Sequence, residues 1–172
     1  RADNFSLADL CRVLPHARAR GVRVHLAMNA LLTEADLPEA IALLHAVEPL
    51  RPDAVIVADL GLLRIVSSFF PGLPIHVSTQ AGCASSDAAE EFARMGASRV
   101  ILERHLRLPE VRQIVSRSPI GVEIFSDSND RLPPLDIHLV HVAQTVEHGT
   151  SFVGGQTGVG IDGHRAGDLQ VR

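Results

Sequence analysis

Five apolar, β-branched runs recur along the chain, the first four each giving way to a stretch with helical spacing, and no other feature restricts the fold so tightly. "VRVHLAMN" is followed by Leu37, Ala40, Ile41 and Leu44 at helical intervals, and "DAVIVADLG" by "LLRIVSSFF". "IHVSTQ" precedes a helix opened near Ser86 and closed by Gly96, "RVILER" a helix entered through Pro109, and "GVEIF" is the fifth run. Ahead of them all, Ser6 and Asp9 have the spacing of a capping box, Leu7, Leu10, Cys11 and Leu14 share one helical face, and Gly21 is placed to end that helix. Strands separated by helices pair in parallel, because a helical crossover returns the chain to the same end of the sheet.

Parallel strands near residues 22–28, 54–59, 74–79, 99–104 and 120–125 leave two architectures, an open doubly wound sheet or a (β/α) barrel. Five strands cannot close an eight-stranded barrel. A barrel origin therefore implies a partial one, incomplete at both ends, whose open sheet edges offer a route to self-association.

The 172 residues are 46% hydrophobic with a mean hydropathy of +0.17, enough for one sizeable core. Net charge is −4, and all 16 basic residues are scattered arginines, which leaves no electrostatic footprint for a nucleic-acid backbone and argues against tight nonspecific DNA binding. Cys11 and Cys83 are too few for a disulfide framework or a four-cysteine metal site, so a reducing cytoplasm fits. No segment has the length of a membrane span, and "RADNFSLADL" is not a signal peptide. That start also lacks an initiating Met, as expected of a piece of a longer protein.

Successive strands end in polar side chains. Asn29 follows "HLAM", Asp59 follows "VIVA", Ser78, Thr79 and Gln80 follow "IHV", and Glu103, Arg104 and His105 follow "VIL". Carboxyl ends of parallel strands form a common rim, where binding and catalytic groups gather. If the chemistry is hydrolytic, Asp59 or Glu103 is the candidate general base, His105 the proton donor, and Gln80 or Asn29 the oxyanion partner. Ser78, Thr79 and Arg104 complete the candidate binding set. His25 and His76, inside apolar strands, are expected to be buried histidines of the core or barrel interior.

The tail carries two misleading motifs. "HLVHV" sets His138 and His141 three apart, which puts them on opposite sides of a strand, so no metal is expected. "GVGIDG" matches a dinucleotide fingerprint, yet the residues after Gly163 are too few for the helix and second strand that motif needs.

Together "ADNFSLADL", "HARARGVRVHLAMNALL", "DAVIVADLGLLR", "PIHVSTQAG" and "GASRVILERHL" resemble, in order and spacing, the collagenase-like peptidase family (peptidase U-type family thirty-two), over Arg1 to about Phe125. The resemblance implies a TIM-like barrel in residues 1–125 and a tail, 126–172, outside the family pattern and irregular. It also implies a peptidase acting on a peptide or small-molecule substrate, with related members that are iron-sulfur proteins for oxygen-independent hydroxylation of RNA bases or quinone precursors. A third reading is an inactive or accessory interaction module. The family's cysteine-bearing segment after "GVEIF" is replaced here by "SDSNDRLPPLDIHLVHVAQ", so no cofactor is expected in this chain although full-length relatives can hold a cluster. Where the family often has Arg-Glu, the chain has Arg104-His105.

Overall fold

The structure, a computed structural model, describes residues 5–125, 137–139 and 157–162. The strands β1 (Arg23–Met28), β2 (Ala54–Val57), β3 (Ile75–Val77), β4 (Arg99–Ile101) and β5 (Gly121–Ile124) lie side by side in chain order, each pair parallel. Helices α1 (Leu7–Arg18), α2 (Leu37–Val47), α3 (Leu60–Phe69), α4 (Ser86–Arg94) and α5 (Leu108–Arg117) alternate with them. Strand positions and order agree with the periodicity, and the five strands form an open sheet consistent with part of a barrel. Two short tail strands extend it: β6 (Ile137–Leu139) runs parallel beside β5, and β7 (Thr157–Asp162) runs antiparallel beside β1.

Local chemistry sets the boundaries. Ser6 caps α1 by accepting from the Asp9 amide at 3.2 Å while the Asp9 carboxylate takes the Ser6 amide at 3.0 Å. The helix is followed by Gly21 at φ +68°, a left-handed turn that suits glycine. Ser85 caps α4 through the Ala88 amide, and Gly96 at φ +98° turns the chain back toward β4. Glu110 accepts from the Arg107 amide at 2.8 Å at the start of α5, next to Pro109.

The core lies between the sheet and the helices. Val24, Leu26, Val55, Val57, Ile75, Val77, Val100 and Val122 pack against Leu10, Leu14, Leu44, Leu62, Leu63, Val66, Val111 and Ile114. One expectation about α1 is corrected: Cys11 and Leu7 are exposed, and the buried stripe is Leu10, Leu14 and Ala17. Four- and three-residue steps from Leu10 define the face that meets β1, and Cys11 lies beyond it.

"GVGIDG" is mostly strand. Gly158 to Asp162 belong to β7, in register with Ala27 to Arg23, instead of forming a phosphate-binding turn ahead of a helix. His141, His148 and His164 lie outside the described residues, as does most of the tail. Among the described residues no helix is long and apolar enough to cross a membrane.

Candidate functional site

All the predicted site residues sit at the carboxyl ends of β1 to β4, but their surroundings differ. Asp59 is the N-cap of α3: Oδ1 accepts from the Leu62 amide at 2.7 Å and Oδ2 from the Leu32 amide at 3.4 Å. It ties the loop after β1 to the loop after β2, and so acts on the scaffold of the rim. Ser78 is buried and opens a 3-10 turn, Thr79–Ala81, by accepting from the Gln80 amide at 3.3 Å. The turn ends at Gly82, φ +78°, and presents Gln80 to solvent with no side-chain hydrogen bond among the described residues. Asn29 is half-buried just past β1.

At the end of β4, His105 Nδ1 lies 3.9 Å from Glu103 Oε2, and the exposed Arg104 guanidinium sits 4.4 Å from the centre of the Phe125 ring. Glu103 donates its amide to the Cys83 carbonyl at 3.0 Å, joining the ends of β3 and β4. Burial pushes the Cys83 thiol above its ordinary range and the Glu103 charge adds to the rise, against a lowering contact with the Ser85 carbonyl. Such a thiol is a poor nucleophile at neutral pH.

The sheet's other face holds a group that the sequence pattern did not single out. Alternation places His25 and Ala27, Ile56, His76 and Ser78, Arg99 and Ile101, and Glu123 and Phe125 on the side away from the helices. In a barrel, alternate strands fill one interior layer. Here β1, β3 and β5 do so with His25, His76 and Glu123: the two imidazoles meet edge to face at 4.7 Å, and His76 Nδ1 lies 3.2 Å from Glu123 Oε1. Arg99 NH1 reaches the same oxygen at 3.6 Å. Gly121, Arg99's partner in the β4–β5 register, makes room for this. A Cβ there would come within 2.9 Å of the arginine's Cγ. Ala27, Ile56 and Ile101 form a thin apolar layer beside these groups, and Phe125 packs against it.

His25 and His76 are therefore buried inner-face histidines, as expected. Glu123 and Arg99 were legible only as charged residues interrupting apolar runs. Neither cysteine joins a donor set: Cys11 is exposed on α1 and Cys83 buried behind the rim, which does not fit an iron-sulfur cluster held by these thiols. Among the described residues no three His, Cys, Asp or Glu side chains gather as metal ligands. A depression lined by Glu48, Pro49, Arg51 and Gly72 lies at loops entering β2 and β3, at the opposite end from the rim.

The family model described as peptidase family U32 matches residues 1–127. The chain belongs to peptidase family U32. Among curated U32-like relatives, tRNA hydroxylation protein P of Escherichia coli (strain K12) is 34% identical over 126 residues, covering 73% of this chain and 28% of that protein. The 23S rRNA 5-hydroxycytidine synthase of the same organism is 28% identical, covering 70% and 18%. A protein named collagenase from Porphyromonas gingivalis (strain ATCC BAA-308 / W83) is 26% identical, covering 66% and 27%. The chain thus spans less than a third of these relatives. The solved structure of the U32 peptidase Mk0906 superposes with a TM-score of 0.58 at 22% identity, over 70% of this chain and 52% of that one, and shares its fold.

Proposed function

We propose that this chain is the rim-bearing segment of a U32 protein that acts in the hydroxylation of RNA bases. The observation carrying the proposal is the similarity to a tRNA hydroxylation protein and an rRNA hydroxycytidine synthase, at 34% and 28% identity. The chemistry of the rim supports it. Asp59 spends both oxygens on backbone amides, and the Cys83 thiol is suppressed. Among the described residues neither His76 nor His105 is hydrogen-bonded to a serine, threonine or cysteine, so a hydrolytic nucleophile with its base is not assembled around these two rings. What the rim does offer is a flat exposed guanidinium on an aromatic ring, a carboxylate beside a histidine, and a free amide side chain, groups that suit a planar base with donors and acceptors on its edge. In this proposal Gln80 and Asn29 hydrogen-bond the base, Glu103 accepts from it, and Arg104 stacks.

Peptide hydrolysis is the second reading, favoured by the relative named collagenase. The two separate in one experiment. The gene is expressed in E. coli lacking tRNA hydroxylation protein P, tRNA nucleosides are measured by mass spectrometry, and the purified protein is assayed on gelatin. Restoration of a pyrimidine nucleoside heavier by one oxygen is expected. Gelatin cleavage without that nucleoside overturns the proposal.

A further inference from the structure

We infer that His76 is the proton-accepting catalytic residue of the barrel interior and that Glu123 is its positioning residue. Histidine has two unlike nitrogens, and the partner of one fixes the role of the other. His76 Nδ1 lies 3.2 Å from Glu123 Oε1, at ion-pair distance though off the line of a hydrogen bond, and a carboxylate that close favours the hydrogen on Nδ1 of a neutral ring, which leaves Nε2 as the lone-pair nitrogen. When Nε2 takes a proton, the new positive charge already has a carboxylate beside it, the arrangement by which a buried acid supports a catalytic histidine. In the step assigned here a substrate X–H bond breaks, its electron pair stays on X, and a bond forms between that hydrogen and Nε2.

Three further observations separate this from a structural ion pair. Glu123 is 1% exposed, yet among the described residues its Oε2 has no hydrogen-bond partner, and neither do His76 Nδ1 and Arg99 NH1, whereas buried polar groups that only stabilise a fold are normally saturated. The neighbours are specific. Arg99 lies 3.6 Å from Oε1 across the space cleared by Gly121, and the His25 ring abuts His76. The site also has a direction, because Ser78 lies two residues after His76 on the same face, and Gln80 and Glu103 follow at the carboxyl ends of β3 and β4. The His76 side chain keeps 7% exposure and the Glu123 side chain 1%, so the histidine is the member of the pair that a substrate can reach. Which substrate supplies the proton rests on the proposed function, under which it is a nucleobase held at the rim.

The test has two arms. Imidazole 15N spectra of the full chain report the His76 tautomer without any assumption about activity. A hydrogen on Nδ1 is expected in the native chain and a mixture of tautomers in Glu123→Gln. A hydrogen on Nε2 in the native chain overturns the inference. In the expressed protein, His76→Gln and Glu123→Gln are each expected to lower the hydroxylated nucleoside about 10²-fold with RNA affinity unchanged, and the double variant to be no worse than His76→Gln alone, because Glu123 acts through His76. Additive losses that follow the fall in melting temperature mark a structural layer and overturn it as well. If the native protein makes no hydroxylated nucleoside while His76 holds its hydrogen on Nδ1, the proposed function fails and the positioning of His76 by Glu123 stands.

Discussion

The two faces of one sheet are built for different ends. Toward the helices, every buried side chain of β1 to β5 is aliphatic, Val24, Leu26, Val55, Val57, Ile75, Val77, Val100 and Val122 among them. On the inner face, Ala27, Ile56 and Ile101 share the surface with His25, His76, Arg99 and Glu123. Period-two alternation produces both faces from the same residues, since His25 lies between Val24 and Leu26, and Glu123 between Val122 and Ile124. The outer face therefore carries the fold, and the inner face can hold buried polar groups that lower stability in exchange for chemistry.

The largest expected effect tests that division directly. Leu62 on α3 is fully buried against the outer face, so Leu62→Ala is expected to cost about 3 kcal/mol in urea unfolding, from lost transfer energy plus a cavity. Glu123→Gln keeps the volume and leaves the partly exposed Arg99 facing a neutral amide, for which about 1 kcal/mol is expected. If Glu123→Gln costs as much as Leu62→Ala, the inner layer is a stability element and the contrast between the faces collapses.

Next comes the scaffold of the rim. Asp59→Ala removes the α3 cap and the link to Leu32, with about 1 kcal/mol expected and a matching drop in melting temperature. Asp59→Asn, which can still accept from the Leu62 amide, should recover most of it. A variant that keeps its melting temperature but loses activity would move Asp59 from the scaffold into the chemistry.

The two faces also differ in how legible they are in sequence. Strand and helix positions follow from periodicity because the outer face is uniformly apolar and the caps at Ser6, Ser85 and Glu110 are local, within three residues of their partners. The same locality makes the rim readable as a row of strand ends. The inner layer is not local. Glu123 meets His76 only after two crossovers bring β3 and β5 around β4, and Arg99 reaches Glu123 only because Gly121 lacks a side chain. Asp59 shows the converse: a carboxylate just before an apolar helix has a capping explanation in the sequence itself, and that is where the structure puts it. Cys11 continues the apolar stripe in sequence but not in space, because packing against β1 uses Leu10, Leu14 and Ala17 and leaves the next residue exposed.

A smaller effect separates surface caps from both faces. Side-chain and backbone hydrogen bonds from Ser6 and Thr33 hold Asp9 and Asp36 below the ordinary carboxylate range, and the Arg107 amide does the same for Glu110. Their folded values lie below their unfolded ones, so the stability they add is fully present above the unfolded values and is lost as pH falls through the folded ones. The urea midpoint is therefore expected to decline in acid, and Asp9→Asn to flatten that decline slightly. An unchanged pH profile in Asp9→Asn would remove the capping box at Ser6 as a contributor.

The smallest stability effect is expected where the functional effect should be large. Gln80 projects from the Thr79–Ala81 turn, exposed, and the turn is held by Ser78 and Gly82 instead, through the Gln80 amide at 3.3 Å and a left-handed residue at φ +78°. Gln80→Ala keeps that amide, so it should shift unfolding by no more than about 0.5 kcal/mol. If the side chain is a preorganised partner for the bound base, the same variant should lower formation of the hydroxylated nucleoside about 10²-fold. The ratio of the two effects is the informative quantity. Leu62→Ala is expected to lose stability with activity following passively, Gln80→Ala to lose activity with stability intact, and Glu123→Gln to fall between them. A Gln80→Ala protein with full activity would reduce the rim after β3 to an ordinary polar strand end and confine the chemistry to the inner layer around His76.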